Sequence, residues 1–200
     1  MNQELIVLAS ASPRRRELLR QINVEHEVRP ADVDETRLPG ETPDRFTGRV
    51  ALSKAERVLE GADGRIVLAA DTAVVLRDEI FGKPADAIDA AAMLRRLSGR
   101  AHQVVTAVAG ACGEARRLAV SSSRVTFREL DDAEIERYVA SGEPMGKAGA
   151  YAVQGYAALF IERLEGSFSG VMGLPLFETG RMIAELGGFL RPAIRSPHSE

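Results

Sequence analysis

The stretch from Leu5 to Leu19 constrains the fold more than any other part of the chain. Leu5-Ile6-Val7-Leu8-Ala9 is a run of five apolar residues, two of them β-branched, and predicts a short buried strand. A tight Ser10-Ala11-Ser12 turn follows. Pro13 suits the first position of a helix, because its missing N–H would go unpaired there. Ser12 is the expected N-cap, its hydroxyl accepting from the first-turn amides. Arg14, Arg15 and Arg16 then crowd that first turn, where each cation is disfavoured by roughly 0.3–1 kcal/mol against the helix dipole. An anion held at the helix N-terminus removes the conflict.

Helical phase separates the three arginines. Leu18, Leu19 and Ile22 form the apolar stripe, and at about 100° per residue Arg15 falls on its centre line. Arg14 lies on one flank and Arg16 on the other, next to Arg20. Arg15 is therefore expected to point inward with Arg14 at the same mouth, and Arg16 to be solvated. An inward arginine needs an anionic partner; the competing reading is a basic surface helix start that binds nothing.

A chain of 200 residues suits one α/β domain, or one domain with an appended lobe. The net charge is −3 with both signs interspersed, so there is no polybasic footprint for a stable nucleic-acid complex. Cys112 is the single cysteine, which excludes an internal disulfide and fits a reducing compartment. Neither a signal-peptide pattern nor an apolar run near the ~20 residues of a membrane span is present. A cytoplasmic location without membrane association is the expectation.

Along the chain, His26–Arg29 reads as a short strand, and Asp32, Asp34 and Glu35 fall together in a loop. Such a cluster is either a solvated turn or, near an anion-binding arginine pair, a set of hard oxygen ligands for a divalent cation. Thr42-Pro43-Asp44 opens a long helix to about Glu60, with Phe46, Val50, Ala51, Ala55 and Val58 on its buried face. Lys54 borders that face, where a lysine either snorkels to water or reaches a ligand. Ile66–Ala70 is the most continuous apolar strand and ends in Asp71-Thr72, with a second run, Ala73–Leu76, following without a turn sequence. Ligands of open α/β sheets bind beyond strand ends, so Asp71 is a candidate catalytic group as well as a candidate turn former. Pro84 stiffens the backbone behind Lys83 and favours a lysine fixed in one direction. An alanine-rich helix opens at Asp86, with Ala90, Met93, Leu94 and Leu97 inward. Two strands follow, His102–Gly110 and a run ending near Phe127, joined by a glycine-rich loop around Cys112, with His102 structural. Asp131 and Glu134 form a capping box. The segments GEPMGKAGAYAVQG and EGSFSGVMGLPL read as loops meeting at a site, and Pro175 to about Leu186 as a closing helix.

SASPRRREL, VDE, the helix RVALSKA, ADT, GKP, KAGAY–VQG and GLPL, in this order, resemble the Maf (septum-formation) family of nucleoside triphosphate pyrophosphatases over nearly the whole chain. The resemblance implies an α/β fold like that of inosine-triphosphate pyrophosphatases, with a mixed elongated sheet flanked by helices and a central cleft. It implies one domain over residues 1–189, in two lobes around that cleft, and a frayed tail at 190–200. It also implies hydrolysis of a nucleoside triphosphate to monophosphate and pyrophosphate with Mg²⁺ or Mn²⁺. Ser10, Ser12, Arg14, Arg15, Lys54 and Lys83 then meet the phosphates, Glu35 helps to hold the metal, and Asp71 is the proton acceptor. Arg14, Thr72 and Gln154 match the Arg, Thr and Gln of the dTTP/UTP branch, rather than the Trp, Gln and Glu of its 7-methyl-GTP sister. A glutamine amide also fits the O4 acceptor and N3–H donor of uracil and thymine. The family implies a homodimer. The rival class is a non-catalytic nucleotide- or nucleic-acid-binding regulator of septum formation; Asp71 beside two lysines favours the enzyme, since binding alone needs no base.

Overall fold

The computed structural model describes residues 5–188; the tail expected at 190–200 lies outside them. The expected α/β architecture is present, built on one mixed sheet. Its strands are β1 (Ile6–Leu8), β2 (His26–Val28), β3 (Val67–Leu76), β4 (Glu79–Phe81), β5 (Ala101–Cys112), β6 (Ala115–Phe127) and β7 (Ile161–Glu165). They run in the order β2-β1-β3-β5-β6-β7, with β4 on β3. The helices are α1 (Pro13–Gln21), α2 (Pro43–Leu59), α3 (Ala87–Leu97), α4 (Asp132–Ala140), α5 (Phe168–Met172) and α6 (Leu176–Glu185).

One edge of β3 determines where a ligand can sit. β5 pairs with β3 from Val67 to Val75 and so fills one edge up to the last residue, Leu76. β1 runs parallel to β3 only at Val67 and Leu68, and β4 antiparallel only at Val74 to Leu76. A strand has two edges, so both short partners lie on the other one. On that edge, residues 69–73 have no strand alongside among the described residues. This corrects the expectation of a strand ending at Asp71-Thr72: both residues are mid-strand, and the opening arises because β1 stops short while β3 runs on.

The two faces of the sheet are packed differently. On one, Val67, Ala69, Ala107, Ala109 and Ala111 meet Ala51 and Ala55 of α2, and these small side chains let the helix lie close. On the other, Leu68, Ala70, Val74, Val104 and Val108 join the larger core under α1, α3, α4 and α6. The predicted capping box of α4 is present in both halves. The glycine-rich loop expected around Cys112 is instead a tight turn at Gly113-Glu114, and half-buried Cys112 sits at the end of β5 with its Sγ 3.2 Å from the Gly64 carbonyl.

Candidate active site

A cleft of about 830 Å³ opens at the uncovered edge of β3. Successive strand residues point to opposite faces. Asp71 thus turns toward α2 and Thr72 toward α1, and the cleft wraps around the strand edge to reach both. Every residue expected at the site lines this cleft: Ser10, Ser12, Arg14, Arg15, Glu35, Lys54, Asp71, Thr72, Lys83 and Gln154.

Arg15 points inward, as its helical phase requires. Its Nε donates to the Gly173 carbonyl at 2.8 Å, Nη1 to Ser10 Oγ at 3.0 Å and Nη2 to Thr72 Oγ1 at 3.4 Å. The Thr72 and Thr106 hydroxyls are 3.0 Å apart, and Thr106 donates to the Gly170 carbonyl at 2.8 Å. A hydroxyl carries one proton, so Thr72 supplies the one between them. Arg15 thereby ties β1, β3 and the α5 turn together. Burial draws its pKa down to about 10, against the opposing pull of Asp71, and it remains a cation.

Two details of this helix start differ from expectation. Ser12 holds the N-cap position, but its hydroxyl accepts nothing from the first turn; Ser10 Oγ instead accepts from the Ser12 amide at 3.2 Å. The cap is replaced by a turn that folds back on Ser10, which leaves the Ser12 hydroxyl for an incoming anion. Arg16 is half-buried rather than solvated, its Nε has no hydrogen-bond partner among the described residues, and it takes no part in the cleft.

On the α2 face Lys54 is buried, not bordering. Its Nζ lies 2.8 Å from Asp71 Oδ1 and 2.7 Å from Glu35 Oε1. The second oxygen of Asp71 makes no hydrogen bond among the described residues. Burial raises the pKa of Asp71, and Lys54 opposes that rise. For Glu35, burial pulls upward too, but the Lys54 hydrogen bond and charge, with Lys83 and Arg15, outweigh it and hold the group low. Of the three loop acids only Glu35 reaches the cleft: Asp34 accepts from the Thr36 amide at 2.8 Å in a local turn, and Asp32 is exposed. If Asp71 acts as a base, Lys54→Met should move the acid limb of the kcat/KM profile to higher pH, because Arg15 alone would then oppose burial and the neighbouring Glu35 charge. An unmoved limb would exclude Asp71.

The residue that sequence reasoning passed over is Lys147. It is the one cation in GEPMGKAGAYAVQG, and it lines the cleft with its Nζ donating to the Glu143 carbonyl. Burial and the neighbouring Arg14 lower its pKa. Its segment is held against β4 by the Gly149 amide, which donates to the Gly82 carbonyl at 3.0 Å. Gly149 needs its positive φ of 68°, and a side chain there would press on Val74 at 2.9 Å. Lys147 and Lys83 are thus carried by two segments bonded to each other. Gln154 is exposed and makes no hydrogen bond among the described residues; it follows a 3₁₀ turn at Ala148–Ala150, within the segment expected as a loop. His102 is structural, as expected: buried, with Nε2 2.9 Å from the Tyr151 hydroxyl and its pKa lowered by burial to about 4. Tyr151, its hydroxyl taken up by His102, also lines the cleft.

Among the described residues, Arg14, Arg15, Lys54, Lys83 and Lys147 therefore face only Glu35 and Asp71 across the cleft. In a chain of net charge −3, this is a local excess of positive charge that favours a polyanion. Among the described residues, no helix is long and apolar enough to cross a membrane.

The chain is similar to known proteins over most of its length. A dTTP/UTP pyrophosphatase of Aromatoleum aromaticum is 53% identical, covering 92% of this chain and 97% of the relative. One from Xanthomonas euvesicatoria is 52% identical, covering 92% and 99%. Among solved structures, the Ham1 protein of Staphylococcus aureus aligns over 64% of this chain and 73% of its own, at 19% identity and a TM-score of 0.45. The family described as Maf-like protein matches residues 5–186, from β1 to the end of α6. With that match and relatives more than half identical over nine-tenths of its length, the chain belongs to the Maf family.

Proposed function

We propose that this protein hydrolyses dTTP and UTP to the nucleoside monophosphate and pyrophosphate, the activity for which its Aromatoleum and Xanthomonas relatives are named. The observation that carries the reading is one raised carboxylate, Asp71, with a free oxygen at the rim of a cleft holding five cations. Water attacks the α-phosphorus, a new P–O bond forms, and the bond to the bridging oxygen breaks as pyrophosphate leaves. Asp71 takes the water's proton on its free oxygen; burial makes it a stronger base, and the Lys54 ammonium beside it favours its ionised form. Arg14, Arg15, Lys83 and Lys147 neutralise the triphosphate and the departing pyrophosphate. Ser10 orients the Arg15 fork, and Ser12 offers its unused hydroxyl.

The donor set also fits a Mg²⁺ or Mn²⁺ ion carried by the triphosphate. Glu35 and Asp71 adjoin, each with an oxygen within 2.8 Å of Lys54 Nζ, and both are hard oxygen donors. Among the described residues no group of three or more His, Cys, Asp or Glu side chains would hold a metal, so the phosphates must complete the shell. When bound, such an ion supplies charge neutralisation and polarisation at phosphorus. The lone thiol of Cys112 supports a cytosolic setting.

Incubating the protein with a panel of triphosphates and Mg²⁺ or Mn²⁺ tests the reading. Pyrophosphate and monophosphate should appear together, fastest from dTTP and UTP. CTP should be poorer, because its 4-amino group and bare N3 reverse the donor–acceptor order facing Gln154. Gln154→Glu, which offers acceptors only, should depress dTTP and UTP use relative to purine nucleotides. Binding without turnover would favour the regulator, a preference for 7-methyl-GTP the sister branch, and release of orthophosphate would overturn the reaction.

A further inference from the structure

The wall of the cleft that carries Lys147 and Gln154 is fastened by a residue that does not line the cleft at all, Glu143. One of its carboxylate oxygens accepts from the Tyr138 hydroxyl at 2.9 Å, the other from the Tyr156 amide at 3.1 Å. Its backbone carbonyl takes the Lys147 ammonium. Tyr138 is buried in the core at the end of α4, so the carboxylate is anchored to a rigid element. Its other contact is with the backbone beside Gln154. A Cβ on Gly155 would lie 2.3 Å from one Glu143 oxygen and 2.6 Å from the other. Gly155 has φ −102°, open to any residue, so lack of space rather than backbone conformation requires glycine there.

We propose that Glu143 is a positioning residue for base selection, acting through Gln154. The side chain of Gln154 is exposed and makes no hydrogen bond among the described residues, so the backbone at 154–156 alone sets where its amide can reach. That backbone is clamped on two sides by the Glu143 carboxylate: by the hydrogen bond to the Tyr156 amide and by contact with the Gly155 α-carbon. The same residue holds Lys147 through its carbonyl, so the group that reads the base and one that meets phosphate are registered against each other. Asp71 and Lys54 stand on β3 and α2, outside this unit. Loosening the clamp should therefore spread the positions open to Gln154 while leaving the proton acceptor in place. This inference rests on the pyrophosphatase reading proposed above.

The test compares kcat and KM for dTTP and CTP in the wild type, E143A, E143Q, G155A and Y138F. E143A should raise KM for dTTP about tenfold, change kcat less than about threefold, and cut the dTTP-to-CTP ratio of kcat/KM about tenfold. G155A, which evicts the carboxylate, should repeat this pattern. In E143Q the amide oxygen can take the Tyr156 N–H while the NH₂ donates to the Tyr138 oxygen, so the ratio should recover to nearly the wild-type value. If E143A does not fold, Y138F decides: it keeps the core ring, loses the anchor, and should lower the ratio about threefold. A ratio unchanged in E143A and G155A, or equal losses on both nucleotides, would reduce Glu143 to a structural part and overturn the proposal. A wild type that releases no pyrophosphate from dTTP would instead overturn the reading beneath it, and the proposal with it.

Discussion

In Asp71→Asn, turnover of dTTP should fall by about 10²–10⁴-fold, the range for loss of a general base, while the nucleotide binds as tightly as before or more so. The substitution is isosteric. The amide that replaces the carboxylate would keep an oxygen for Lys54, and Glu35 would keep its own pairing with the same ammonium, so the packing of α2 on β3 survives. What disappears is the free carboxylate oxygen and one negative charge facing the polyanion. A binding isotherm beside a pyrophosphate assay separates the two effects. Near-normal turnover would transfer the proton-acceptor role to Glu35, the other carboxylate on the cleft.

Arg15→Ala should weaken triphosphate binding by about 10²–10³-fold, or ~3–4 kcal/mol, because a fork with three fixed partners loses its charge at the centre of the anion site. Arg16→Ala should change binding little, since Arg16 takes no part in the cleft. Arg15→Lys should remain impaired. A point charge cannot meet the Gly173 carbonyl and the Ser10 and Thr72 hydroxyls at once and still present donors to phosphate. Titration of folded protein with a slowly hydrolysed triphosphate analogue gives the three affinities; equal losses in Arg15→Ala and Arg16→Ala would refute the assignment.

The arginines show what a sequence can reveal here and why. Arg14 and Arg15 are legible because phase along a short helix follows from 3.6 residues per turn, with no knowledge of what lies opposite. Lys54 is legible as a site candidate but not as a buried bridge between Asp71 and Glu35, because that depends on three segments meeting. Asp71 stands out in the sequence for a partly mistaken reason. Its place at the opening comes from the shortness of β1, and strand pairing of this kind leaves no trace in the apolar run of β3 itself. Lys147 and Glu143 escape because a glycine-rich loop has no period from which to read a direction. Their roles come from contacts with Gly82, Tyr156 and the residues around Gln154 that only the folded chain supplies.

The missing strand at residues 69–73 of β3 has one more consequence. An uncovered strand edge is ordinarily a hazard, since its free backbone groups invite a strand from another molecule. Here two charged side chains from outside the strand, Lys54 and Arg15, flank the gap, and Asp71 within it adds a third charge. Any strand docking there would have to strip water from these ions. The charged groups assigned to a triphosphate in the proposed function thus also protect the edge from self-association. Replacing several of them with apolar residues would remove an activity and uncover an aggregation seam in the same step.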